Sequence, residues 1–183
     1  MEFMELVSAR RSVRDYSEKP VEEEKLSQIL EAARLAPSWA NRQCWSFVVV
    51  KDRSGIEKVF KACGIYNSWL RRAPVLVIGC GNPKQSGSRN GMDYYLVDMG
   101  ISMEHLVLAA ASMGLGTCWI GAFDENRIRD ALGIPENVKV VALTPVGYPV
   151  DADDRSLGAR MVKVLVRGGK RKPIDEIVHR EKW

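Results

Sequence analysis

From Asp93 to about Met113 the sequence predicts one long helix whose apolar residues nearly encircle it. A helix without a polar face must be covered on every side, in a large core or between subunits. The chain has 183 residues, 46% of them apolar, enough for one domain with a real core. For a chain of that size a subunit interface accounts better for such a helix than burial inside a single core.

Around this helix, helix and strand signals alternate. Phe3, Met4, Leu6 and Val7 mark an amphipathic segment that gives way to an extended stretch ending at Pro20. Pro20-Val21-Glu22-Glu23-Glu24 opens a helix with acids in its first turn, Leu26, Ile29, Leu30 and Ala33 line one face, and Pro37 stops it. Strands are predicted over Ser46–Lys51, Pro74–Cys80, Thr117–Gly121 and Val138–Leu143, the last running toward Gly147. Short helices are predicted over about Gly55–Ala62 and from an Asp124 N-cap to Leu132, closed by Gly133 and Pro135. The Gly-, Ser- and Asn-rich stretch Asn82–Met92 reads as a mobile loop. Residues 151–160 are polar and linker-like, and Met161–Val166 suggests an extra strand or arm. No repeat or second-domain boundary is visible. The order is irregular for a doubly wound sheet and fits an α+β sandwich, with helices on a mixed sheet.

Composition narrows the chemistry. The net charge of +4 is mild, and acids alternate with bases along most of the chain. This favours an anionic small molecule over nucleic acid, which needs a concentrated basic face. No apolar run is long enough for a membrane span and no segment resembles a signal peptide. Cys44, Cys63, Cys80 and Cys118 are scattered without metal-ligand spacing, which predicts no metal site, small buried hydrophobes and a reducing, cytoplasmic setting. Gly79-Cys80-Gly81 follows a strand, but Lys84 stands at the third glycine of a dinucleotide fingerprint. Gly116 and Gly121 have P-loop spacing, but Ala122 stands where lysine is required. His105 and His179 have no serine or cysteine motif to complete a triad. Side chains alone are poorly equipped for catalysis, so a bound cofactor is expected to carry it.

Arg10-Arg11-Ser12-Val13-Arg14 supplies three guanidiniums and a hydroxyl where the first amphipathic segment ends. Guanidiniums bind phosphate through paired N–H donors, and a hydroxyl can fill a remaining acceptor. By itself such a string is most often a solvated basic surface.

Four blocks in order give it meaning: Arg10-Arg11-Ser12-Val13-Arg14-Asp15-Tyr16, Ala36-Pro37-Ser38-Trp39-Ala40-Asn41-Arg42-Gln43-Cys44-Trp45, Gly114-Leu115-Gly116-Thr117-Cys118-Trp119-Ile120-Gly121-Ala122-Phe123-Asp124, and Arg171-Lys172-Pro173. Through these the chain resembles the flavin-dependent nitroreductase family from end to end. The resemblance implies an α/β sandwich with a mixed, mostly antiparallel central sheet flanked by helices, and the long helix buried at a homodimer interface. It implies one domain over 1–183, a core at 1–150, and a linker and arm at 151–183. Two FMN molecules would lie between the protomers. Arg10 and Ser12, with Arg11 beside them, would hold the FMN phosphate from one side and Arg171 from the other. Arg14 would face the N1/O2 edge of the ring, and the Gly121 N–H would point to N5, with Ile120 on one ring face. Pro37, Ser38, Trp39 and Asn41 would come from the other protomer. NADH or NADPH would reduce the flavin, and nitroaromatics, quinones or similar small conjugated acceptors would reoxidise it in ping-pong fashion. Reductive dehalogenation, flavin fragmentation and non-catalytic flavin binding are the alternatives; the Asn82–Met92 loop lacks the aromatic and carboxylate residues expected of a dehalogenase lid. Trp39 is bulkier than the residue many relatives carry there.

Overall fold

The computed structural model describes residues 2–150 and 171–183. A four-stranded sheet runs in the order β1 (Trp45–Val50), β2 (Val75–Gly81), β6 (Lys139–Gly147), β5 (Gly116–Thr117), with every neighbour antiparallel. The parallel element is an isolated bridge between Ser12 and Thr117. The described strands are therefore antiparallel throughout, with parallel pairing confined to that bridge, within the α+β sandwich expected.

β2 shows how the sequence builds the layers. Val-Leu-Val-Ile-Gly-Cys-Gly is buried along its whole length, and alternate side chains leave opposite faces of a strand. Val75 and Val77 meet one apolar cluster, with Leu26, Ile29 and Ala33 of α2 (Glu23–Arg34) and Leu106, Val107 and Ala110 of α4 (Tyr94–Ser112). Leu76, Ile78 and Cys80 meet the other, with Ile56, Val59 and Phe60 of α3 (Arg53–Cys63) and Ile128 of α5 (Glu125–Leu132). Helices thus cover both faces. α4 lies so close to the sheet that a Cβ on Gly79 would stand 2.8 Å from the Met99 sulfur. Ser102 ties α4 to α2 by donating to the Ala33 carbonyl at 2.7 Å.

Local signals explain most boundaries. Asp124 caps α5 by accepting from the Arg127 N–H at 3.1 Å, and Gly133 closes it at φ +67°. α1 (Phe3–Ala9) precedes an extended segment that bridges Thr117 at Ser12 and Pro149 at Tyr16.

Two expectations need correction. The strand foreseen over Thr117–Gly121 is regular only at Gly116–Thr117, with a single bridge at Ile120–Leu143. The ladder breaks because the Cys118 N–H donates to the Thr144 hydroxyl at 3.1 Å. The stretch Asn82–Met92 is not a featureless loop. Asn82 caps a 3-10 turn at Pro83–Gln85, and β3 (Ser88–Arg89) pairs with β4 (Met92–Asp93). Asn90 and Gly91 adopt φ +55° and +76° between them, the left-handed pair that a two-residue hairpin demands. Within the single chain α4 is covered along part of its circuit, and the subunit interface expected to cover the rest is a matter for a second copy. Asp98, Met99, Ser102, Met103, Leu106, Val107 and Ala110 are buried, whereas Leu96 and Val97 are exposed and Ile101 and Leu108 half-buried. The arm suggested at Met161–Val166 lies outside the described residues.

Candidate functional site

Arg10, Ser12 and Arg14 share one extended segment, which is fixed along its length. The Val13 N–H donates to the Thr117 carbonyl at 2.8 Å, and the fully buried Tyr16 donates its hydroxyl to the Val13 carbonyl at 2.6 Å. Gly116 permits this approach: a Cβ there would stand 2.7 Å from the Val13 Cβ. The segment is thereby pressed against Thr117–Cys118, and the three polar side chains gather near the Cys118 thiol. Burial pushes that thiol up, while Arg14, the Ser12 hydroxyl and Arg10 each pull it back toward the thiolate. Burial also holds the Tyr16 phenol well above its ordinary value, against an opposing pull from Arg14. Arg10 and Arg14 are half-buried, and Arg11 and Ser12 exposed.

Ile120 and Gly121 continue from Cys118. Ile120 is buried and exchanges both backbone hydrogen bonds with Leu143, at 2.9 and 3.1 Å. In a trans peptide the C=O of one residue and the N–H of the next point in opposite directions. Because the Ile120 carbonyl is aimed at Leu143, the Gly121 N–H must point away from β6, toward the edge that Val13 occupies at Thr117. A Cβ on the exposed Gly121 would meet nothing within 4 Å. This edge therefore presents an outward amide beside open space, four residues on from the point where the Arg10–Arg14 segment pairs with Thr117. Amide and guanidinium donors suit an anionic ligand with a flat polar edge.

The second group centres on the 3-10 turn Trp39–Asn41. Ala40, Asn41 and Gln43 all have positive φ, at +48°, +55° and +49°, and such conformations persist only when neighbours impose them. Here the Gln43 N–H donates to the Ser38 hydroxyl at 2.9 Å, and the Trp39 N–H to the Asp98 carboxylate at 2.8 Å. Pro37 and Asn41 are exposed, Ser38 and Trp39 half-buried. The Trp39 ring lies flat against Gly87, where a Cβ would approach within 2.6 Å, and 6.0 Å from the Tyr94 ring.

The structure thus sets Arg10, Ser12 and Arg14 on a segment paired with Thr117, in the stretch that continues to Ile120 and Gly121, and organises Pro37, Ser38, Trp39 and Asn41 separately. Among the described residues no hydrogen bond, ion pair or ring contact joins the two groups. Arg171 lies in a wholly exposed stretch, 171–183, and no such contact among the described residues ties it to Arg10 or Ser12. All four cysteines are free and buried; burial pushes Cys63 up to about 12 and Cys80 up to about 11. His105 sits 3.3 Å from the Ala32 carbonyl and His179 stacks near Trp183, so each has a local packing role. Among the described residues no helix is long and apolar enough to cross a membrane.

Sequence reading missed Asp98. Its signal was a carboxylate in the most apolar of the described helices, flanked by Val97 and Met99, where an unpartnered charge would be costly.

Comparison with known proteins gives a consistent result. The Nitroreductase family pattern matches residues 7–65 and 61–148. A protein of Archaeoglobus fulgidus, provisionally named NADH dehydrogenase/NAD(P)H nitroreductase, is 34% identical over 186 residues, covering 100% of this chain and 99% of its own. The FMN reductase [NAD(P)H] of Bacillus subtilis is 30% identical over 167 residues, covering 82% of this chain and 67% of its own. Among solved structures, a nitroreductase family protein from Clostridium difficile 630 superposes with a TM-score of 0.83 at 31% identity, covering 100% of both chains.

Proposed function

The chain belongs to the nitroreductase family, and from that premise we propose that it is an FMN-dependent oxidoreductase that uses NADH or NADPH to reduce nitroaromatics, quinones or similar conjugated acceptors. The observation that carries the reading is the gathering of Arg10, Ser12 and Arg14 around Cys118, next to the outward Gly121 amide. The relatives named for FMN reductase and NAD(P)H nitroreductase activity support the cofactor and the electron donor.

The residues present fit such a cofactor. Arg10, Arg11 and Ser12 offer phosphate donors, with Arg171 as the counterpart from the C-terminal stretch. Arg14 is the cation for the N1/O2 edge, Gly121 the donor for N5, and Ile120 a ring-face contact. Bound FMN supplies the hydride chemistry that no side chain here provides. The chain's own contribution is to hold reactants in register and to keep a fixed positive charge where negative charge grows.

We further propose that two copies share the site, with Pro37, Ser38, Trp39 and Asn41 contributed by the second copy. The exposed Leu96 and Val97 support this. So does an apolar groove of about 450 Å³ between Phe3 and Leu6 of α1, Leu35 beside α2, and His105, Leu108 and Ala109 of α4. An apolar face of that kind is an association surface.

Purified protein is expected to be yellow, or to become so with FMN, and anaerobic NADH or NADPH should bleach it, with a quinone restoring the colour. Protein that stays colourless with excess FMN contradicts the reading. Arg10→Ala should weaken FMN binding by about 1.5–3 kcal/mol, the worth of one charged hydrogen bond. An unchanged dissociation constant in an equilibrium titration would remove Arg10 from the phosphate site.

A further inference from the structure

We propose that Asp98 is a positioning residue for the cofactor site, acting through the Pro37–Gln43 turn that it holds against α4. It is 2% exposed and lies one turn into α4. Its Oδ1 accepts from the Trp39 N–H at 2.8 Å, and its Oδ2 accepts from the Ser86 hydroxyl at 3.0 Å and the Cys44 thiol at 3.5 Å. One carboxylate therefore fastens three separate segments: the turn, the strand entry at Cys44, and the loop that leads into the β3–β4 hairpin.

The turn needs this fastening. Three of its non-glycine residues sit in the left-handed region, each at a cost in an unrestrained chain. The Asp98–Trp39 bond fixes the backbone at the turn's start, and the Trp39 ring wedged against Gly87 fixes its outer side. Its partners here are an amide N–H, a hydroxyl and a thiol, so both carboxylate oxygens serve as acceptors. The neighbouring thiol is kept protonated, since burial and then the Asp98 carboxylate push Cys44 up to about 11. Cys44 is accordingly a donor to Asp98 and not a nucleophile.

This inference rests on the FMN reading, under which the turn lies against the flavin of the other copy. The test compares wild-type protein with Asp98→Asn, Asp98→Ala and Gly87→Ala by equilibrium FMN titration and by visible circular dichroism of the bound flavin. Asp98→Asn keeps an acceptor for Trp39, so its FMN affinity should stay within about threefold of wild type and its dichroism unchanged. Asp98→Ala should weaken FMN by about tenfold or more, the loss of a hydrogen bond to a charged group, and should alter the dichroism. Should Asp98→Ala fail to fold, Gly87→Ala decides. It displaces Trp39 from the hairpin side without touching the core, and should shift the dichroism and weaken FMN by about threefold or more. Wild-type protein that binds no FMN overturns the underlying reading as well. Wild type that binds FMN, alongside a folded Asp98→Ala or a Gly87→Ala protein with wild-type affinity and dichroism, overturns only the role of Asp98.

Discussion

Arg14→Ala is expected to leave FMN bound and the fold intact, yet to slow reduction of the flavin by NADH or NADPH by about thirtyfold to a thousandfold. That range corresponds to about 2–4 kcal/mol, the loss found when one fixed donor or charge is removed from a developing anion. Arg14 suits this role because it is half-buried on a segment pinned at Val13 and Tyr16. Its charge is felt inside the protein, where it favours both the Cys118 thiolate and the Tyr16 phenolate. A cation held in place before the reaction needs no reorganisation during it. Arg14→Lys keeps a charge but loses the planar fork, and should recover part of the rate. Anaerobic stopped-flow at saturating pyridine nucleotide measures the effect directly. A reduction rate equal to wild type in Arg14→Ala would exclude Arg14 from the ring edge.

How much of this was legible in the sequence depends on the range over which each feature is decided. β2 could be read because a continuous apolar run after Pro74 leaves little alternative to a buried strand. α5 could be read from its cap and its glycine, both local. The end of β5 could not, because a hydroxyl 26 residues away captures the Cys118 N–H. Asn90-Gly91 was a usable hairpin signal, but the flanking Ser88-Arg89 and Met92-Asp93 are too short and polar to look like strands. For the proposed site, Arg10, Ser12, Arg14 and Gly121 are candidates only through the ordered blocks in which they stand. Asp98 could not be read so, since its meaning lies in contacts to Trp39, Cys44 and Ser86 across three segments. The apolar circuit of α4 was read as a helix covered on every side, with a subunit interface as part of its cover. Within one chain only the face toward the sheet and α2 is covered.

Gly116→Val is expected to destabilise the protein by about 3 kcal/mol, the upper end of the cost of overfilling a packed site. The contact it creates is not with the loose end of a side chain. A Cβ at Gly116 stands 2.7 Å from the Val13 Cβ and Cγ2 and 2.8 Å from Cγ1. Val13 cannot turn aside, because its own backbone is bonded to Thr117 at 2.8 Å and anchored by the Tyr16 hydroxyl. The segment from Arg10 to Arg14 must therefore lift away from Thr117 and Cys118, carrying the proposed phosphate donors with it. The variant should lose FMN affinity together with stability, although Gly116 offers the cofactor no side chain. Val13→Gly introduced into Gly116→Val removes the obstructing Cβ and should restore most of both properties. Denaturant midpoints at matched protein concentration, with and without FMN, separate loss of fold from loss of binding. If Gly116→Val melts and binds FMN as wild type does, the close approach of these two segments does not position Arg10, Ser12 and Arg14.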